Sequence, residues 1–369
     1  MSNSQNGKKK LLISAAGTGG HVMPGLAVVR EMIERGWEVE WIGTRTGMEG
    51  RLVGERGIAF HGLDFQGVRG KGLVGMVTGL IKLVKATYDA RRIVREIAPD
   101  VLFTTGGYIA VPVCKAAAKN RVPVTLMNCD ADVLMSSKIV MGQAAAVACG
   151  FAGSARSIAG PKGRITGNPV RSEIEALEAP EVRLASREGR LKLLVFGGSL
   201  GARVFNEVVP QALALFDEEH RPEIVHQTGT SSVEAVRRRY EELGIKATVI
   251  DFIGDMAGAY RDSDIVLCRS GAMTVSELCA AGAASILVPL VVKTTRHQLG
   301  NARYMAERGA AVLLEQESLT PEHLFGMLMS LKRERILKMA VAARSLVRPQ
   351  AARLVADMIE EVAQSAQAK

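Results

Sequence analysis

Aromatic residues are few: two Trp, five Tyr and nine Phe in 369 residues, or 4%. Single-stranded nucleic acid is held largely by stacking bases on aromatic rings. So thin a supply argues against that class of partner. Zinc-finger spacing, an RRM signature and a basic leucine zipper are also missing, and no nucleic acid is expected. Cysteine is scarce as well. Cys114, Cys129, Cys149, Cys268 and Cys279 are odd in number, form no Cys-x-x-Cys and sit mostly in apolar runs. They predict buried thiols in a reducing, cytosolic setting rather than a disulfide framework. Long apolar runs are lacking too. The first, Leu11–Ala16, follows the polar, basic stretch Met1–Lys10 and is far too short for a signal h-region or a membrane span. A membrane would be met from the side.

What is abundant is glycine, 38 residues, within a chain 47% apolar and 23% charged, the balance of a globular protein. The length suits two domains. The net charge of +9 favours anionic partners, either phosphorylated substrates or a phospholipid surface.

Short apolar runs alternate with helical patterns. Strands are expected at Leu11–Ala16, Val39–Ile42, Val101–Thr104, Val122–Met127 and Ala144–Cys149, with a helix at Pro24–Arg35. The pattern pauses around Ile165–Arg171, and the charged, Pro-containing Ala176–Gly189 reads as a linker. It then restarts with Leu191–Phe196, followed by Ile224–Thr228, Ala247–Phe252, Ile265–Cys268 and Ser285–Pro289. The expected fold class is α/β, with two doubly wound parallel-sheet domains. Their expected bounds are 8–170 and 171–348, with a last amphipathic helix at 349–366, centred on Ala351–Ala363.

Four constellations carry candidate chemistry. The loop Gly17-Thr18-Gly19-Gly20 lies between a strand and a helix, where backbone N–H groups receive anions. Val22 occupies the third glycine position of a dinucleotide fingerprint, so that reading fails. His21 is either a helix-start histidine bonded to a loop carbonyl or a general base at the sheet's carboxyl edge. The loop from Gly197 to Arg203 repeats the context, with Ser199 able to donate to a phosphate. Arg269–Glu277 follows a strand and begins a helix. Its first amides can hold a diphosphate, and Glu277 can accept both hydroxyls of a ribose. A plain capping box, with Ser270 or Thr274 as N-cap, competes with that reading. In His297-Gln298, Gln298 offers an acceptor and two donors to sugar hydroxyls, against an exposed helix face. Separately, residues 68–96 combine Arg69, Lys71, Lys82, Lys85, Arg91, Arg92 and Arg95 with Leu73, Met76, Val77, Leu80, Ile81, Leu83 and Val84. Either an interfacial helix on an anionic leaflet or a surface helix with one buried face fits, and the breadth of the apolar stripe favours the membrane.

These motifs occur in the order Gly17–Ala27, Gly70-Lys71-Gly72, Gly106-Gly107-Tyr108, Gly167–Arg171, Gly197–Arg203, His226–Gly229, Phe252–Met256, Arg269–Glu277 and His297–Ala302. Together they span nearly the whole chain. The chain resembles the MurG-type family of undecaprenyl-diphospho-muramoylpentapeptide β-N-acetylglucosaminyltransferases, glycosyltransferase family 28. That resemblance implies the GT-B architecture, two Rossmann-like domains with the donor in the cleft between them. It implies UDP-N-acetylglucosamine as donor, the undecaprenyl-diphosphate-linked muramyl-pentapeptide as acceptor, and a place on the cytoplasmic face of the membrane. Cell-division or cell-wall proteins would be partners, and no cofactor or metal is expected. Thr18, Gly19, Gly20 and Asp130 would lie on the sugar side. Arg171, Ser199, Ile253, Ala272, Met273, Thr274, Val275, Ser276 and Glu277 would hold the nucleotide, and Gln298 the N-acetylglucosamine. The C-terminal helix would return to the first domain.

Two departures stand out. Met127-Asn128-Cys129-Asp130 replaces the family's His-Glu-Gln-Asn, and Arg296 replaces an Asp before His-Gln. The expected reaction is metal-independent inverting transfer with His21 as base. Alternatives are a paralogue with another lipid acceptor such as diacylglycerol, a UDP-N-acetylglucosamine epimerase, and a non-catalytic UDP-sugar-binding scaffold.

Overall fold

The computed structural model describes residues 8–17, 19–66, 72–292 and 296–368, with backbone alone at 72–76 and 154–155. The candidate Thr18 and the basic residues Arg69 and Lys71 lie outside the described residues. The chain divides into two compact units: everything up to Pro169 together with the stretch from Gln350 onward, and Val170–Pro349.

The first unit contains a parallel sheet of seven described strands: β1 (Lys10–Ser14), β2 (Glu38–Thr44), β3 (Ala59–Leu63), β4 (Val101–Thr104), β5 (Val124–Asn128), β6 (Ala146–Cys149) and β7 (Gly163–Ile165). Their order across the sheet is β3-β2-β1-β4-β5-β6-β7. Central strands of such a sheet are covered on both faces, so they are apolar almost without interruption. β4 and β5 are buried at every position. Leu12, Ile42, Leu102, Leu126 and Val147 meet Ala110, Val113, Ala116 and Ala117 of the helix Ala110–Lys119 in one core. Each buried Leu or Ile in it is worth about 1.5–3 kcal/mol.

The helix Ala351–Gln367 belongs to this unit, packing on the helix Gly19–Glu34 and across β4, β5 and β6 through Val355, Ala356, Ile359 and Ala363. Arg35 clamps it. Its guanidinium reaches Glu31 at 2.9 Å, Asp357 at 2.8 Å and Glu360 at 2.8 Å, while the Trp37 indole N–H donates to Glu360 at 3.1 Å.

The second unit repeats the plan with β8 (Lys192–Phe196), β9 (Glu223–Gln227), β10 (Thr248–Ile250), β11 (Ile265–Cys268), β12 (Ser285–Leu287) and β13 (Ala311–Leu313), in the order β10-β9-β8-β11-β12-β13. Leu193, Val195, Phe205, Val209, Ile265, Leu267, Ile286 and Leu324 centre its core.

Several expectations need correction. Strands β3, β7 and β13 carry no strong apolar run: β3 is half exposed at the sheet edge, and β7 and β13 have three residues each. The first helix starts at Gly19, five residues before Pro24, so the proline lies inside it, where its ring removes the N–H that would bond the Gly20 carbonyl. The stretch 176–189 is not a free linker. It contains the short helix Pro180–Arg183, and buried Arg183 donates to the Gly282 carbonyl at 2.7 Å. All five cysteines are buried and unpaired.

Candidate active site

In an open parallel sheet, ligands bind beyond the carboxyl ends of the strands where strand order reverses. In the first unit that point lies between β1 and β4. His21 sits there in the first turn of its helix, and its Nδ1 lies 2.9 Å from the Thr105 carbonyl oxygen. A carbonyl can only accept, so the neutral ring carries its proton on Nδ1 and a lone pair on Nε2. Thr105 returns the bond, its hydroxyl donating to the His21 carbonyl at 3.0 Å. Thr104 ties the strands together beneath, donating to the Ser14 carbonyl at 2.7 Å and accepting from the Gly106 N–H at 3.2 Å. The loop past β4 turns through Gly106 and Gly107, both at positive φ. Both readings of His21 therefore meet in one geometry: the loop carbonyl it bonds orients Nε2 as an acceptor.

Asp130 lies beyond β5, two strands from His21's loop, and is buried. Asn128, the last residue of β5, turns its amide back on its own loop. It donates to the carbonyls of Asp130 at 2.6 Å and Asp132 at 3.2 Å. The amide's donors thus close the departed stretch locally.

In the second unit the reversal falls between β8 and β11. Ser199 is exposed at the tip of the loop after β8. Gly201 has φ +74°, and a Cβ there would collide with the Thr228 carbonyl of the neighbouring loop. The two loops pack backbone against backbone, which only glycine allows. After β11 comes the helix Ala272–Ala281. Its N-cap is Gly271, with no side-chain cap and no acid in the first turn. The competing capping box is therefore not formed. The first intrahelical bond of this turn runs from Val275 N–H to the Gly271 carbonyl, so the amides of Ala272, Met273 and Thr274 have no i−4 carbonyl to bond. Together with the helix dipole they are able to receive an anion.

Glu277 lies one to two turns into this helix, with its side chain only 14% exposed. Burial pushes its carboxyl above the usual range. Arg171, at 4.0 Å, and the Tyr260 hydroxyl, donating at 3.3 Å, pull it back. Ile253 is buried beyond β10, beside the 60% exposed Phe252. Gln298 reaches the same edge by another route. Its Oε1 accepts from the Leu290 N–H at 3.0 Å, so its NH2 group is what remains to offer a sugar. Its own carbonyl accepts from buried Ser270 at 2.8 Å, and Asn301 donates to the Ser270 carbonyl at 3.1 Å. Ser276 donates to the Ala272 carbonyl at 2.9 Å, a bond within its own helix. Arg269 lies across the Phe205 ring, 5.0 Å from its centroid, and bonds to Val288 and Gln316, a structural role.

No group of three or more His, Cys, Asp or Glu side chains among the described residues is arranged to hold a metal ion.

Family models match both units: the glycosyltransferase family 28 N-terminal domain over residues 11–149 and the family 28 C-terminal domain over 192–356. The chain belongs to glycosyltransferase family 28. It is 47% identical over 357 residues to the UDP-N-acetylglucosamine–N-acetylmuramyl-(pentapeptide) pyrophosphoryl-undecaprenol N-acetylglucosamine transferase of Chromobacterium violaceum, covering 96% of this chain and 99% of that one. It is 48% identical over 360 residues to the transferase of that name from Methylibium petroleiphilum, covering 96% and 98%. Among solved structures it matches Acinetobacter baumannii MurG with a TM-score of 0.82 at 34% identity, over 96% of this chain and 99% of that one. The α/β, GT-B class of two Rossmann-like domains expected of the sequence is the class found, and the activity class is that of a glycosyltransferase.

For this family 28 chain, motif reasoning missed Thr105 and Tyr260. Thr105 lies 84 residues from His21 in sequence, and Tyr260 lies 17 from Glu277 on a separate helix. No local pattern marks either.

Proposed function

We propose that this glycosyltransferase moves N-acetylglucosamine from UDP-N-acetylglucosamine to an undecaprenyl-diphosphate-linked N-acetylmuramyl-pentapeptide. The observation that carries the reading is the second unit's combination of an uncapped helix start with a buried carboxylate behind it. Diphosphate oxygens suit the amides of Ala272, Met273 and Thr274 and the Ser199 hydroxyl, and ribose hydroxyls suit Glu277. Relatives over 40% identical along almost the full chain carry the name of this transferase, which supports the donor and the acceptor.

In this mechanism His21 Nε2 takes the proton of the muramyl 4-hydroxyl as its oxygen attacks the anomeric carbon from the face opposite the diphosphate. The bond to UDP breaks with inversion. The negative charge developing on the leaving diphosphate is met by fixed amide dipoles that need no reorganisation. The glycine loops of the first unit, Gly19-Gly20 and Gly106-Gly107, suit the acceptor's own diphosphate, with Asp130 near the sugars.

The same reading puts the enzyme at the cytoplasmic face of the membrane. The helix Gly72–Ile97 exposes Val77, Leu80, Ile81, Val84 and Tyr88, at 57–71%. Exposed Lys82, Lys85, Arg91, Arg92 and Arg95 accompany them. Among the described residues no helix is long and apolar enough to cross a membrane. Basic residues contribute about 1 kcal/mol each at an anionic surface. Ile81→Glu should therefore weaken sedimentation with anionic vesicles at least about fivefold, leaving neutral vesicles unaffected.

The deciding experiment incubates the enzyme with labelled UDP-N-acetylglucosamine, with and without the muramyl-pentapeptide lipid, and follows UDP and labelled lipid. Acceptor-dependent release of both is the expected result. Release of an isomerised sugar without acceptor would make the protein an epimerase. Tight UDP binding with no turnover would make it a scaffold. Turnover only with diacylglycerol would make it a glycolipid synthase.

A further inference from the structure

We infer that Tyr260 is a positioning residue whose hydroxyl holds the Glu277 carboxylate in the orientation that reads a ribose. The inference rests on Glu277 being the group that meets the ribose.

Tyr260 lies in the helix Met256–Asp262, directly before β11, and its side chain is fully buried. Its ring stands edge-on to Phe196 at the end of β8, with centroids 6.2 Å apart and planes at 68°. That packing leaves the ring little freedom, so the hydroxyl is delivered to one place, 3.3 Å from Glu277 Oε2. The other oxygen, Oε1, faces Arg171 at 4.0 Å. A carboxylate receives two vicinal hydroxyls only if its plane is fixed, and a glutamate has three torsions to fix. One donor on Oε2 and one cation beside Oε1 supply the restraint.

The protonation states agree. Burial and the neighbouring Glu277 charge keep the Tyr260 phenol protonated, so it can only donate to a carboxylate. Glu277 itself is pushed up by burial and must be ionised to accept from both hydroxyls. Arg171 from the segment before the helix Ser172–Glu175, Tyr260, and the buried Cys268 thiol of β11 are the titratable or charged groups that bear on it. Removing the phenol hydroxyl leaves burial opposed by Arg171 alone. The pH at which ribose recognition fails on acidification then moves upward.

The test measures the affinities of UDP and 2′-deoxy-UDP by calorimetry for the wild-type enzyme, Tyr260→Phe, Glu277→Gln and the double variant, from pH 5.5 to 8.5. The wild type should prefer UDP. Tyr260→Phe, which keeps the ring, should lose about three- to tenfold of that preference, the range of a hydrogen bond to a charged group weakened by length. Its 2′-deoxy-UDP affinity should stay within about twofold, and the acid limb of its UDP binding should shift upward. In the Glu277→Gln background the Tyr260→Phe change should add nothing, as two groups acting through one contact require. Phe196→Leu loosens the packing but keeps the hydroxyl: it should lower the melting temperature and lose clearly less of the preference than Tyr260→Phe. An unchanged preference in Tyr260→Phe, additive effects in the double variant, or an equal loss in Phe196→Leu would each overturn the inference. A wild-type enzyme indifferent to the 2′-hydroxyl would instead sink the reading of Glu277, and the inference with it.

Discussion

At the reversal of strand order in the first unit stands an imidazole, locked by a backbone carbonyl of the next loop. At the same place in the second unit stands a row of unbonded amides, with a carboxylate buried behind them. The two sheets share parallel pairing throughout and the same reversal after three strands. They differ in what the loops present. The first offers a group that can take a proton, and the second offers fixed partial charges that can hold an anion and accept hydroxyls. One topology can thus present a proton acceptor in one unit and fixed partial charges in the other. The difference comes from loop residues, which the sheets position without dictating.

Gly201→Ala places a Cβ in the Thr228 carbonyl at a φ of +74°. It should destabilise the second unit by about 3 kcal/mol or more, since steric overlap and left-handed strain add. Hydrogen exchange should show the loss in β8 and β9 while β1 and β4 keep their protection. A loss spread over both units would mean they are not independent in stability.

Glu277→Ala removes a carboxylate expected to hold two hydroxyls, so UDP affinity should fall about a hundredfold. Calorimetry that finds UDP binding unaltered would remove the nucleotide from this helix.

Burial pushes His226, on β9, down to about 3. The unfolded chain therefore takes up a proton near pH 6.5 that the folded unit refuses until about pH 3, and stability falls as pH drops through that window. At pH 4.5 the loss should be roughly 2–3 kcal/mol, read from exchange of β9 amides and absent in His226→Leu. No slope would mean the ring is protonated in the folded unit.

His21→Ala should cut turnover at least about tenfold, with UDP affinity within about twofold of wild type. Full activity would eliminate His21 as base. A parallel fall in UDP affinity would end the division of labour between the units.

How much could be read in advance depended on burial. Val101–Thr104 and Ile265–Cys268 are covered on both faces, so their strand bounds appear directly as apolar runs. β3 escaped because an edge strand with one wet face can carry His61, which pairs there with Glu40 at 2.6 Å. The glycine loops and the Ser-Gly-Ala start of the helix at Ala272 were visible as motifs because backbone approach and a free helix end demand particular residue types at fixed spacing. The bonds that aim the side chains were not visible. His21 to Thr105, Tyr260 to Glu277 and Asn301 to Ser270 each join separate elements. Gln298 looked like a free sugar contact, yet its oxygen is engaged by Leu290.

By itself, then, the order of apolar runs and glycine turns determined two wound parallel sheets, because local sterics and the need to bury both faces of a strand act residue by residue, while the ordered motifs carried the resemblance to family 28. Only the tertiary structure decided which nitrogen of His21 faces the Thr105 carbonyl and what restrains Glu277. Those outcomes depend on atoms brought together from distant parts of the chain, and pairwise hydrogen bonds and desolvation have no signature until the fold closes around them.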